Sequence, residues 1–371
     1  MIIDIILPHK EDFSNAKASA VSLTIKNSAE FSKFKSKINV FGQKTDQPFK
    51  DLKFTGFKTN KILHLGNNRS IFINYLKKNN FNSKDKRIIE MHNRPYVFNY
   101  AIKKLKYTPI TLHFHNDPRN MKGSKSIAER IRIANHASAV YFVSEYIKNC
   151  FLDGIEKKFT NLYVIPNGIQ RTLTRKPKKD KLVVFVGRLV KEKGCHLYVK
   201  SIKKIVQKKP EWSFKIIGTP KAGQSRIEST YARNLINDFE NLGNNTEYLG
   251  FITNSKVKEI LEKTSILIVP SIWQEPFALT ALEGMCNGVA VIASKVGGMG
   301  EMLEDIGLLI DDIDENKLEK SIKKLIENKD LLNEFQNKSW TKYNFNQSEI
   351  VKKQDSIRED IFQNYNFINS G

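Results

Sequence analysis

A long apolar run is the first thing missing. No stretch approaches the roughly 18 consecutive apolar residues that a membrane helix requires, and Met1 to Leu7 is short and interrupted by Asp4. The chain is therefore expected to carry neither a membrane span nor an export signal. Cysteine is scarce as well. Cys150, Cys195 and Cys286 are dispersed and show no C-x-x-C spacing, which argues against a disulfide framework or a zinc knuckle and fits a cytoplasmic setting. Internal repeats are lacking, as are helix-turn-helix and RNA-binding signatures, so a non-enzymatic nucleic-acid-binding protein is only a remote alternative. Acidic residues are in short supply: 39 Asp and Glu stand against 61 Lys and Arg, a net charge of +22. The shortage is uneven. Residues 1–170 hold 29 Lys and Arg against 13 Asp and Glu, net +16, whereas residues 171–371 hold 32 against 26, net +6.

What is present is a repeated alternation of apolar runs with amphipathic stretches. In the first half, strands are expected at Ile2 to Leu7, Ile38 to Phe41, Arg87 to Met91, Ile110 to His115, Ala139 to Val143 and Leu162 to Ile165, with a helix from about Ala16 to Phe34. The second half continues with strands at Lys181 to Val186, Ser213 to Ile217, Glu247 to Gly250, Ile266 to Val269 and Val289 to Ser294. Helices are expected between them, at Cys195 to Lys208, Ser225 to Asn241 and Ser255 to Glu262. Such alternation implies doubly wound parallel sheets, and 371 residues exceed one usual core.

The richest segment runs from Ile266 to Gly298. Ile266-Leu-Ile-Val269 reads as a strand buried on both faces, which puts Glu275 in the crevice at its carboxyl end, where open parallel sheets bind ligands. A helix start at Phe277, Ala278, Leu279 and Thr280 offers free N–H groups and a positive dipole end to an anion. Glu283 follows seven residues after Glu275. An acid on each side of an anion seat suits a ligand with a charged centre and hydroxyl-rich ends, the shape of a nucleotide sugar. Thr280-Ala-Leu-Glu283 also matches a capping box, which would give Glu283 a purely structural task. Upstream, Gly187-Arg188-Leu-Val-Lys-Glu-Lys193-Gly194 follows another strand and places two cations at its tip, a pair able to neutralise a diphosphate.

These residues resemble the glycosyltransferase family 4 signature, with its two glutamates seven residues apart, its Gly-Arg-Leu and Lys-Gly segments and its Gly-Gly loop. The resemblance implies a B-type glycosyltransferase fold: α/β, with two Rossmann-like domains facing across a cleft. Residues 1–170 would form the acceptor domain, joined by a final helix at Gln347 to Asn364 within 347–371, and residues 171–346 the nucleotide-sugar domain. It implies a retaining, metal-independent transfer of a hexose or heptose from a UDP-, GDP- or ADP-sugar, with no further cofactor. Arg188 and Lys193 would hold the donor phosphates, Glu275 the sugar hydroxyls and Glu283 the ribose. A sugar-nucleotide epimerase or a phosphorylase of the same architecture is the nearer alternative. Asn93-Arg94-Pro95 adds a likeness to bacterial enzymes of lipopolysaccharide core or capsule synthesis, and hence a glycolipid or saccharide acceptor.

On the acceptor side, strand alternation puts His113 and His115 on one face, and His115 stands at the tip. The family resemblance brings a histidine there close to the reacting carbon. His92 and Arg94 end another strand and are read as acceptor contacts, His92 equally as a structural residue. After the first strand the usual glycine pair is absent, although Ser14, Asn15 and Ala16 are small enough to admit a ligand. Ala278 and Ala290 replace the family's glycine and proline and keep small side chains near the donor. Asp311, Asp312 and Asp314 are read as a helix cap rather than a metal site. Lys103, Lys104, Lys106, Lys122, Lys125, Arg130 and Arg132 flank the His115 region. They would draw an anionic membrane surface or phosphorylated glycolipid, with peripheral attachment to the inner face of the cytoplasmic membrane, unless the charge merely reflects lysine-rich composition.

Overall fold

The computed structural model describes residues 2–14, 19–58, 67–79, 86–221 and 229–369. It divides into a unit of Met1–Gly168 with Gln347–Gly371 and a second unit of Ile169–Asn346.

The first unit is built on a seven-stranded sheet of β1 (Ile2–Ile6), β2 (Ile38–Gln43), β3 (Lys53–Phe57), β4 (Arg87–His92), β5 (Ile110–Phe114), β6 (Ala139–Phe142) and β7 (Leu162–Val164). The order is β3-β2-β1-β4-β5-β6-β7, and the pairings along the sheet are parallel. β4, β5 and β6 are buried along their whole length, as apolar runs covered by helices on both faces must be. β3 is an addition to the expected strands. It lies at the sheet edge, half-exposed, and its Lys-Phe-Thr-Gly-Phe sequence is too polar to announce itself as a buried run. From β1 the chain steps outward to β2 and β3, then returns to the other side of β1 as β4, so the switch point lies between β1 and β4.

The last helix, Gln347–Asn369, packs on this unit. A buried ion cluster holds it there. Arg358 donates to both Glu90 oxygens at 2.8 and 2.7 Å and to Asp355 at 2.8 Å, and Asp355 accepts from Ser32 and from the Lys33 backbone. Glu90, Asp355 and Arg358 are all buried, and the one guanidinium pairs with both carboxylates inside the core.

The second unit has a six-stranded parallel sheet of β8 (Leu182–Val186), β9 (Ser213–Ile217), β10 (Thr246–Gly250), β11 (Ile266–Val269), β12 (Ala290–Ser294) and β13 (Leu308–Ile310), ordered β10-β9-β8-β11-β12-β13. Here the switch point falls between β8 and β11. β11 is fully buried, its alternating side chains divided between two apolar layers: Ile266 and Ile268 on one face, Leu267 and Val269 on the other. The helix expected from Ser225 is observed at Thr230–Glu240; residues 222–228 lie outside the described residues. Asp314 caps the helix Glu315–Glu327 by accepting from Lys317 N at 2.7 Å, as read from the sequence.

Candidate active site

The loops after β8 and β11 meet at the switch point of the second unit, where doubly wound sheets bind ligands. Ile272 N donates to Glu192 O at 2.9 Å. Gly194 adopts φ 68°, and a Cβ there would lie 1.8 Å from Pro270 O, so only glycine allows the two loops to pass this closely. The approach brings Lys193 Nζ into an ion pair with Glu275 Oε1, which also accepts from Ser271 Oγ at 2.7 Å. Glu275 is 3% exposed and thus held by a cation and a hydroxyl in a dry setting. Lys193 Nζ stands 5.4 Å from the centre of the Trp273 ring. Arg188, in contrast, is exposed; its carbonyl accepts from Val190 N at 2.9 Å, while its guanidinium makes no hydrogen bond or ion pair among the described residues. Gly187 ends the strand at its side, its N–H bonded to Ile217 O at 3.0 Å.

The following helix spans Leu279–Cys286, with Ala278 at its N-cap and no side chain capping it. Its first N–H groups are consequently open to an anion. Phe277 precedes the cap, and Thr280 lies inside the first turn. The capping-box alternative for Thr280 and Glu283 is therefore not what forms. The Glu283 carboxyl has no hydrogen-bond partner among the described residues, and burial pushes its pKa up to about 7. The Gly297-Gly298 loop folds back on the same place: Gly297 N donates to Gln274 Oε1 at 2.8 Å and Gly298 N to Glu275 O at 2.7 Å.

In the first unit the structure gathers three histidines. His92 and His113 stack at 4.2 Å between ring centres, 19° apart in plane, and His92 Nδ1 lies 2.9 Å from His115 Nε2. His115 is partly exposed, whereas His92 is only 4% exposed. Of the two readings of His92, its burial against His113 and its contact with His115 favour the structural one over an acceptor contact. Burial lowers the pKa of all three, His115 to about 4, so they are neutral imidazoles at pH 7.

Glu90, His92 and His113 offer ligand atoms within 4.8 Å of one another. The donor geometry is wrong for a cation, however. In-plane lone pairs of stacked rings run nearly parallel instead of converging, and both Glu90 oxygens already serve Arg358.

At the other switch point, Arg94 is half-buried, its Nε donating to Asn68 Oδ1 at 3.0 Å and its Nη1 to Asn93 O at 2.7 Å. Ser14 is 3% exposed and donates to Asp12, so it does not face a ligand; Asn15 lies outside the described residues. The basic cluster also needs correction. Arg130 is buried, its guanidinium spent on the carbonyls of Phe151, Lys125 and Asp153. Lys103 and Lys104 end the helix that descends from β4, and Lys106 follows in the turn that leads to the amino end of β5, so all three lie at the opposite end of the sheet from His115.

Ser271, Trp273 and Gln274 support the donor loops, a role the sequence reading does not assign. Their only local signal was membership of the same Pro-Ser-x-Trp-Gln-Glu run. The Glu90 to Arg358 pair, 268 residues apart, left no local signal at all.

Residues 168–341 match the family of glycosyl transferases group 1. An uncharacterized glycosyltransferase of Methanocaldococcus jannaschii is 31% identical over 198 residues, covering 53% of this chain and 52% of that protein. The lipopolysaccharide 1,2-N-acetylglucosaminetransferase of Salmonella typhimurium is 20% identical over 230 residues, covering 59% and 57%. The chain thus spans a little over half the length of these relatives. The fold is that of HepE from Anabaena, solved in complex with UDP, with a TM-score of 0.76 at 18% identity over 97% of this chain and 100% of that one. The two parallel-sheet domains are those of the B-type glycosyltransferase fold, and residues 168–341, a little under half of the chain, are similar to the glycosyl transferases group 1.

Proposed function

We propose that this protein is a retaining glycosyltransferase that moves a hexose or heptose from a nucleoside diphosphate to an acceptor hydroxyl without a metal ion. The observation that carries the reading is the buried Glu275, held by Lys193 and Ser271 at the switch point beside an exposed Arg188 and an uncapped helix start. Cleavage of the sugar–phosphate bond leaves an oxocarbenium-like sugar and puts negative charge on the departing diphosphate. Arg188, Lys193 and the N–H groups at Leu279 and Thr280 stabilise that charge as fixed dipoles and cations, which supplies the neutralisation a divalent ion gives elsewhere. Glu275 orients the sugar hydroxyls and Glu283 accepts from the ribose. His115 and Arg94 serve the transferred sugar and the acceptor. HepE, solved with UDP, makes UDP-sugars the first donors to try. The Salmonella relative makes an envelope glycolipid or polysaccharide the first acceptor class, with an anionic membrane surface as its setting.

The test is a screen of UDP-, GDP- and ADP-sugars for hydrolysis and transfer in the presence of EDTA, with the anomeric configuration of the product read by NMR. Arg188→Ala or Lys193→Ala should lower the transfer rate by roughly 100-fold or more. Glu275→Gln should cripple transfer yet leave nucleoside diphosphate affinity intact or higher, because it frees Lys193 from its carboxylate. Loss of activity in chelator, restored by manganese or magnesium, would overturn metal independence. An epimerised or phosphorolysed product would replace the reading altogether.

A further inference from the structure

The contact between His92 and His115 reaches past the list of groups that touch substrate. His92 ends β4 and pairs in register with His113 of β5. Asn93 N donates to His113 O at 2.8 Å, and Asn93 Oδ1 accepts from His115 N at 2.8 Å, so backbone and side chain together clamp the two strand ends. The His92 ring is pressed against the face of His113 and meets His115 edge to edge, Nδ1 to Nε2 at 2.9 Å, with their planes 21° apart. Two neutral imidazoles so placed share one proton in the gap, and there are two ways to arrange it. If His115 Nε2 donated, the proton of His92 would sit on Nε2, which is buried and has no partner among the described residues. Orphaned buried N–H groups are among the rarest features of folded proteins. If His92 Nδ1 donates, its Nε2 presents only a lone pair, and the proton of His115 is forced onto Nδ1.

We propose that His92 is a positioning residue that sets the tautomer of His115, holding the His115 proton on Nδ1. The nitrogen of His115 that does not face His92 is then a hydrogen-bond donor, matched to a sugar hydroxyl or phosphate oxygen, and it is not a base. An imidazole's tautomer follows from the bond its other nitrogen makes. Enzymes that lose the correct tautomer lose turnover while the ring stays in place. The tautomer assignment stands on unit-one geometry; only its consequence for turnover rests on the glycosyltransferase reading above.

The experiment is nitrogen NMR on the full chain labelled with ¹⁵N-histidine. In the wild type, His115 should show a protonated Nδ1 and a bare Nε2. His92→Phe keeps the ring stack on His113 and removes the donor, so the His115 proton should move to Nε2. His92→Asn, whose amide can donate from nearly the same point, should restore the native pattern. Turnover of the nucleotide-sugar donor should fall roughly 10- to 100-fold in His92→Phe, the range for losing a group that orients a site residue, with donor KM unchanged, and recover in His92→Asn. A wild-type His115 protonated on Nε2, or an unchanged pattern in His92→Phe, would overturn the proposal. Should His92→Phe fail to fold, the wild-type spectrum alone decides. Full turnover in His115→Ala would remove His115 from the transfer site and leave the tautomer result standing.

Discussion

Glu283 and Glu275 are two acids on one loop-helix segment, and their partners differ. Glu275 is compensated by Lys193 and Ser271, whereas Glu283 has no such partner among the described residues and its pKa rises to about 7. The sign of the consequence is fixed. Below about pH 4.5 the carboxyl is protonated in folded and unfolded chains alike; as pH rises the unfolded chain ionises first, and the folded state loses up to about 3 kcal/mol by the time pH passes 7. Glu283→Gln, a mimic of the protonated form, should flatten that part of the decline in melting temperature between about pH 5 and about pH 8. A nucleotide whose ribose hydroxyl donates to the ionised carboxylate should bind more tightly as pH climbs toward 7 and level off above it, and this slope should vanish in Glu283→Gln. Calorimetric titrations across the range check both, and a pH-independent affinity in the wild type would take Glu283 out of the nucleotide site. At this scale the sequence was informative where chemistry is local: Glu275, Lys193 and Arg188 stand at the loop tips expected of them. It was uninformative about His92, because strand alternation names a face and cannot tell which tip residue turns inward.

Loops rather than helices or strands bring the donor residues together, and two glycines make this possible. Gly194 and Gly297 hold φ 68° and 54°, with backbone carbonyls of the neighbouring loop where a Cβ would stand. Gly194→Ala should therefore act without touching a ligand atom. The left-handed backbone alone costs about 1–2 kcal/mol for a residue with a side chain, and the clash with Pro270 O must also be relieved by moving the loop after β11. Expected results are a lower melting temperature and a weakened nucleoside diphosphate affinity. Unaltered affinity would mean that the two loops do not need to be in register. Elements were legible in proportion to their burial. β11 and β12 are continuous apolar runs and appeared within a residue of their observed ends. β3 did not appear, because an edge strand needs only alternate apolar side chains and Gly56 breaks even that pattern. The last helix was placed on the first unit by resemblance, and its reason emerged only in three dimensions, since Arg358, Asp355 and Glu90 each look like surface residues until they are seen to pair with one another.

Charge is the property of the whole molecule that the donor chemistry does not use. The surplus of +16 in residues 1–170 is not one patch around His115. Arg130 is internal, and the exposed cations divide between the two ends of the first sheet: Lys122, Lys125 and Arg132 follow the carboxyl end of β5, and Lys103, Lys104 and Lys106 surround Tyr107, 77% exposed, at its amino end. No described helix is long and apolar enough to cross a membrane. If the acceptor side docks on anionic lipid, the protein should co-sediment with vesicles containing acidic lipid and far less with neutral ones. Binding should fade at a few hundred millimolar salt, where the Debye length falls to well under about 10 Å. Reversing Lys122, Lys125 and Arg132 to glutamate should abolish sedimentation, at about 1 kcal/mol for each cation lost near the surface, and leave donor hydrolysis unchanged. The same reversal at Lys103, Lys104 and Lys106 is the control. A greater loss there would move the docking face to the Tyr107 end, away from His115, and equal sedimentation with neutral and acidic vesicles would reduce the basic surplus to composition.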